Sequence, residues 1–362
     1  MSGSNLIANC PDIQDELNNY FLECDASALR QPAPFFDFLW SDLNRSGIQQ
    51  MIAPGGGKIK KVVLRYDQLI MEDEATEVNM LEKSCTAETK RGELTESYTI
   101  DPSSGFQFEE LISAADYAYG CKSTEWYLAK KIQKLIDATV RKAQTVLAER
   151  AVALVGNWDA EVDPVVDVGG GDVLKVATKK TGSSDINPGA FEDIDAAALL
   201  TNFCTTPLIF SGTSLWKYYR TMLAGCCSAQ GIDLSEMLSQ YGKAVMYDRK
   251  LAAALGGNDF AVMTMPKVLQ PIYYTANDDL NHDVLAAIGG KAVFTGANYM
   301  KLVVQDPQSG LPVDLTIADN CGDVSLITRA CVDVKPLPTD IFPSAHSMSG
   351  VTYFAGIKVV NS

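Results

Sequence analysis

Between Ser123 and Gly156 the chain reads TEWYLAKKIQKLIDATVRKAQTVLAERAVALV, without a glycine or a proline. No other feature constrains the fold so strongly. Residues 124–155 predict one unbroken helix, about 48 Å long at ~1.5 Å per residue, well beyond the usual globular helix. Ser123 or Thr124 can cap its start, Glu125 suits the positive first turn, and Gly156 is placed for a left-handed exit. Leu128, Ile132, Leu135, Ile136, Val140, Ala143, Val146, Leu147 and Leu154 recur at steps of three and four, which predicts one buried stripe. On the remaining surface Lys130, Lys131, Lys134, Arg141, Lys142 and Arg150 outnumber Glu125, Asp137 and Glu149.

That basic face belongs to an acidic chain, with 30 Lys and Arg against 45 Asp and Glu and a net charge of -15. Such a balance argues against a general nucleic-acid-binding surface, so any contact of that kind is local and weak. With 47% hydrophobic residues among 362, the chain can build a core and divide into two or three domains. No run approaches the ~18 apolar residues of a membrane span. The first residues carry neither a basic region nor an apolar core of a signal peptide, which predicts a cytosolic product without membrane contact. The nine cysteines are odd in number and scattered, and are expected to be reduced and mostly buried.

Ahead of the helix, residues 1–57 read as an arm with two helical patches divided at Pro32 and Pro34. Its aromatic group, Phe35, Phe36, Phe38 and Trp40, needs burial against the rest of the chain or another subunit. Residues 58–105 predict a strand, a charged tip carrying Glu72, Asp73, Glu74 and Glu77, and a returning strand, a long hairpin too polar to lie in a core. FQFEELI then predicts a better buried strand. Past the helix comes a Gly, Asp and Pro-rich connector with one short strand, VLKVA. AFEDIDAAALLTNF and SLWKYYRTMLAGCCSAQG read as helices, interleaved with strands in TPLIFSGT, KAVMYD, NDFAVMTMP and VLQPIYYT. From Tyr299 onward the chain is nearly all strand.

Chemistry is sparse along this chain. The only histidines, His282 and His346, have no nucleophile or second ligand beside them in sequence. Cys226 and Cys227 are adjacent on a helix, which suits buried small side chains better than a metal. Gly55–Gly57 and Gly169–Gly171 fit neither phosphate-loop pattern and read as hinges. Asp159, Glu161, Asp163 and Asp167 have the spacing of a calcium loop. Pro164, however, stands where that loop needs glycine and Gly170 where it needs glutamate, which leaves at most an adventitious cation site. No catalytic, cofactor-binding or metal residue is assigned.

The order of elements resembles the major capsid protein of tailed bacteriophages, an α+β fold shared with encapsulins and herpesvirus capsid floors. On this resemblance 1–57 is the N-arm, 58–105 the E-loop hairpin, 106–190 the peripheral domain with its spine helix at 124–155, 191–300 the axial domain, and 301–362 the strands returning to the peripheral and partly to the axial domain. The resemblance implies a virion shell protein, assembled in the host cytoplasm into hexamers and pentamers around double-stranded DNA, with no enzyme activity and no cofactor. It implies a portal as partner and, since only a short arm precedes the hairpin, a separate scaffolding protein or none. Phe35, Phe36, Trp40, Glu72, Asp73, Glu74 and Glu77 are then expected between subunits. Lys130, Lys134, Arg141 and Lys142 are expected on the inner surface, with Lys175, Lys179 and Lys180 as further candidates. Two other readings stay open: an encapsulin-like compartment with protein cargo, and a metal-dependent hydrolase using the Asp-rich stretch near 159–172.

Overall fold

A computed structural model describes residues 33–46, 48–53, 60–67, 93–100, 105–113, 124–158, 162, 165–167, 172–182, 185–201, 203, 207–230, 245–275, 293–294, 299–306, 309–320, 323–337 and 353–360. Within them three sheets are arranged around six helices, and one continuous apolar core runs through the whole. The helices are α1 (Pro34–Trp40), α2 (Asp42–Arg45), α3 (Thr124–Val152), α4 (Ala190–Leu200), α5 (Thr213–Gln230) and α6 (Arg249–Ala254).

The first sheet is antiparallel, β1 (Ile48–Ala53), β2 (Lys60–Asp67) and β3 (Glu93–Ile100) in that order. The expected hairpin therefore gains a third strand from the segment read as arm. Nor does it stand wholly free of the core. Val62 and Leu64, two residues apart and so on one face, are each 1% exposed, and the Tyr98 hydroxyl donates to the Pro336 carbonyl at 2.8 Å.

The second sheet holds the long helix. Its order is β10 (Leu269–Tyr274), β14 (Asp323–Pro336), β13 (Pro312–Asn320), β12 (Tyr299–Gln305) and β11 (Val293–Phe294), all antiparallel. β14 is 14 residues long, and its second edge is shared end to end: β4 (Phe106–Ile112) pairs with 324–330 and β10 with 331–336. β4 is less buried than expected, since Gln107, Glu109 and Leu111 face solvent and only Ile112 is fully covered.

Helix α3, 29 residues and about 43 Å, runs alongside β14, whose 14 residues span roughly 47 Å. The contacts advance in step. Lys131 pairs with Glu110, which sits opposite Leu326; the Thr139 and Thr328 hydroxyls bond at 2.8 Å; Arg150 donates to the Val332 carbonyl at 2.8 Å and meets Asp333 at 3.2 Å. From 131 to 150 the helix rises about 28 Å while β14 advances about 24 Å from 326 to 333, so the two elements are parallel partners of similar reach. The buried surface of α3 is wider than one stripe, because Ala129, Gln133, Gln144, Ala148 and Ala151 are covered as well. α6 and α1 account for this by packing against the helix away from the sheet. At its end Gly156 is not left-handed: its N–H donates to the Phe354 carbonyl at 3.0 Å and it bridges to Ala355 in parallel.

The third sheet is mixed, in the order β5 (Val165–Asp167), β6 (Asp172–Ala177), β15 (Phe354–Val360), β9 (Phe260–Thr264), β7 (Leu208–Ser211) and β8 (Val245–Tyr247). The nearly unbroken apolar β15, FAGIKVV, lies inside it, parallel to β6 and antiparallel to β9. Sheet membership thus departs from the sequence divisions at 190 and 300: β5 and β6 join the strands of 208–264, whereas β10 joins the sheet of the long helix. Gly356 has a steric reason, since a Cβ there would lie 2.6 Å from Val173 Cγ1, and its carbonyl accepts the Trp158 indole N–H at 2.7 Å.

Candidate functional site

The aromatic segment fills the chain's own core. Phe35, Phe36, Phe38 and Trp40 are 2%, 2%, 7% and 8% exposed. Phe35 meets Phe210 edge-on at 5.3 Å and stacks on Phe354 at 6.0 Å, Phe38 meets Phe210 at 5.4 Å, and Trp40 meets Tyr273 at 5.8 Å. Of the two partners left open for this cluster, the chain itself is the one observed. Phe35, Phe36 and Trp40, expected between subunits, are thus covered within this chain, where Phe210, Phe354 and Tyr273 lie against Phe35 and Trp40.

Two buried polar side chains fasten the same segment. Asn44, 0% exposed, donates through Nδ2 to the carbonyls of Leu39 at 3.1 Å and Leu269 at 2.8 Å, and accepts the Lys267 N–H at 2.7 Å; its own carbonyl accepts Gln270 Nε2 at 2.9 Å. Asp248, 2% exposed, accepts the Phe35 N–H at 3.0 Å and caps α6 through the N–H groups of Lys250 and Leu251 at 3.0 and 2.9 Å. Burial raises the Asp248 pKa, and those three donors together with the Lys250 ammonium oppose the rise. Sequence reading missed both residues, since each works through partners more than 200 positions away.

The basic face of α3 separates into distinct roles. Lys131 pairs with Glu110, whose hydrogen bond holds the lysine above its ordinary pKa, and Arg150 is tied to Val332 and Asp333. Lys130, Lys134, Arg141 and Lys142 stay exposed, Lys134 at 69% with Glu110 3.9 Å away. At about 100° per residue, Lys130, Lys134 and Arg141 fall within roughly 40° of one another and extend over about 16 Å of helix. Lys142 lies about a quarter turn to one side. On the opposite flank α6 brings in Lys250, whose Nζ donates to the Arg141 carbonyl and to Gln144 Oε1, each at 2.7 Å. Burial lowers the Lys250 pKa to about 8; Asp248 opposes the shift and Arg141 adds to it.

An open cavity of about 420 Å³ lies where β4 and β10 meet along β14, lined by Phe106, Gln107, Tyr274, Asp314, Arg329 and Cys331 among others. Asp314 and Arg329 are cross-strand partners, and Arg329 Nε donates to Gln107 Oε1 at 3.1 Å. Cys331 is buried beside them, and no histidine is among the described residues. Among the described residues no three His, Cys, Asp or Glu side chains group as metal ligands, and no helix is long and apolar enough to cross a membrane. Glu72, Asp73, Glu74 and Glu77, both histidines, both glycine triplets, and Asp159, Glu161 and Asp163 lie outside the described residues.

No family model matches the chain, and no curated protein matches it. Among solved structures it is similar to the capsid of Ralstonia phage GP4, with 8% identity, 92% of each chain covered and a TM-score of 0.43. It is similar to the capsid structure of the cyanophage P-SCSP1u, with 10% identity, 86% of each chain covered and a TM-score of 0.41. The virus-like particle from Pyrococcus furiosus is similar at 10% identity, 96% of each chain and a TM-score of 0.38.

Proposed function

We propose that this chain is the major capsid protein of a tailed bacteriophage, a structural building block that assembles through copies of itself into the hexamers and pentamers of a head enclosing double-stranded DNA. One observation carries the reading. The elements follow the order expected of that fold, from a segment rich in aromatics, through a sheet with a long charged connection between β2 and β3, to a single long helix on a long strand, a mixed sheet, and a last strand returning into it.

The physics of such a role is interface energy multiplied by symmetry. Each contact can be weak, because closure of a lattice makes every further contact effectively intramolecular. A rigid tile serves this purpose, and α3, fastened to β4 at Glu110 and along β14 at Thr328 and Val332, provides one. The acidic connection carrying Glu72, Asp73, Glu74 and Glu77 is proposed as the part that reaches a neighbouring subunit, now without the aromatics. A portal and a separate scaffolding protein are the further partners this reading implies, and the virion is the place where the chain would reside.

Sedimentation velocity of the purified full chain tests the proposal. Assembly of the chain into particles far larger than its 39.2 kDa supports it, and a sharp monomer boundary at every concentration contradicts it.

A further inference from the structure

We infer that the open cavity at the junction of β4 and β10 is a binding site for a small zwitterion, an α-amino acid with an apolar side chain. The site is independent of the shell reading, and its presence or absence leaves that reading as it stands.

Strand register places the charges. Gln107, Arg329 and Asp314 are successive cross-strand partners on β4, β14 and β13, so they share the face of the sheet opposite Thr328 and the long helix. All three line the cavity, Arg329 as an exposed residue and Asp314 as a carboxylate only 4% exposed. A plain cross-strand ion pair would turn Arg329 toward Asp314. Instead its Nε donates to Gln107 Oε1 at 3.1 Å, on the side of the row away from Asp314, and this bond orients the guanidinium while engaging only its Nε. Cross-strand partners lie roughly 5 Å apart, so a guanidinium and a carboxylate stand side by side on one wall. An α-amino acid carries a carboxylate and an ammonium side by side on one carbon, in the complementary order. A simple anion or cation would gain one of these partners and meet a like charge beside it. The space extends past the charged row because β14 passes its edge from β4 to β10 between Ala330 and Cys331. Phe106, Tyr274 and Cys331 line that part, and about 420 Å³ is room for a side chain as well as the charged end.

The test is isothermal titration calorimetry of the full chain with L-phenylalanine and L-leucine, followed by phenylalanine amide, which lacks the carboxylate, and N-acetyl-phenylalanine, which lacks the ammonium. Saturable binding of at least one of the two amino acids is expected, with Arg329→Gln and Asp314→Asn each weakening it at least about tenfold, the usual scale for losing a charge-assisted pair. Each ligand change should matter only while its partner is present. Amidation should cost the parent at least about tenfold and Arg329→Gln little further, and acetylation should behave likewise with Asp314→Asn. Arg329 is exposed, so its variant keeps the test informative if the buried Asp314→Asn folds poorly. A parent chain that binds neither amino acid, an Arg329→Gln chain that binds as the parent does, or an amide that loses as much on the variant as on the parent overturns the inference.

Discussion

Asn44 has no exposed surface, and its side chain is satisfied by three backbone groups, one from Leu39 in its own segment and two from the distant Lys267 and Leu269. Asn44→Ala removes all three bonds and leaves buried peptide groups short of partners, so urea denaturation should show a loss of about 2 to 3 kcal/mol. Lys250 gives a pH signature. Its folded pKa, about 8, lies below the ordinary lysine value of 10.5, so between those values the unfolded chain binds the extra proton. The cost of burying this charge is therefore present in full below pH about 8, and stability from this group rises as the pH climbs toward 10.5. In paired denaturation curves, Lys250→Met should lack that rise, so the gap between parent and variant should shift in the parent's favour over this window. A gap that stays constant with pH would contradict the placement of Lys250. Neither residue could be found from sequence, because the burial of Asn44 and the neighbours of Lys250 come from tertiary contacts that no local pattern encodes.

Among the elements, long periodic segments were legible and junctions were not. α3, α4, α5 and the strands from β6 to β15 that carry apolar alternation or apolar runs follow from residue pattern alone. β1 was missed because IQQMIA places two glutamines at its centre and lies next to a glycine-rich stretch, so its strand character comes from pairing with β2. The exit of α3 was misread because Gly156 is used for a bridge to Ala355, an interaction with a strand some 200 residues later. The partner of the arm's aromatics stayed open for a related reason: a short aromatic segment cannot reveal whose core it fills, and here Phe210 and Phe354 of the same chain lie against Phe35. The joint between α3 and β14 invites a direct measurement. In a double-mutant cycle of Thr139→Val and Thr328→Val, the hydroxyl pair at 2.8 Å should show a coupling of about 1 kcal/mol, and additivity would remove it from the account.

At the scale of the whole molecule, the long helix finds its length in its partner. A strand of 14 residues and a helix of 29 have nearly equal reach, and α1, α6, β4 and β10 all pack or pair against one or the other. Sequence showed the helix and the sign of its outer face. It could not show that Lys131 reaches Glu110 and Arg150 reaches Asp333, so these two were grouped with Lys130, Lys134 and Arg141, which share one exposed strip. The central claim is that this framework is a tile of a closed shell. Negative-stain electron microscopy of the concentrated full chain tests it most directly: the account predicts closed shells of uniform diameter with visible capsomers, and fields of single subunits or dimers alone would contradict it.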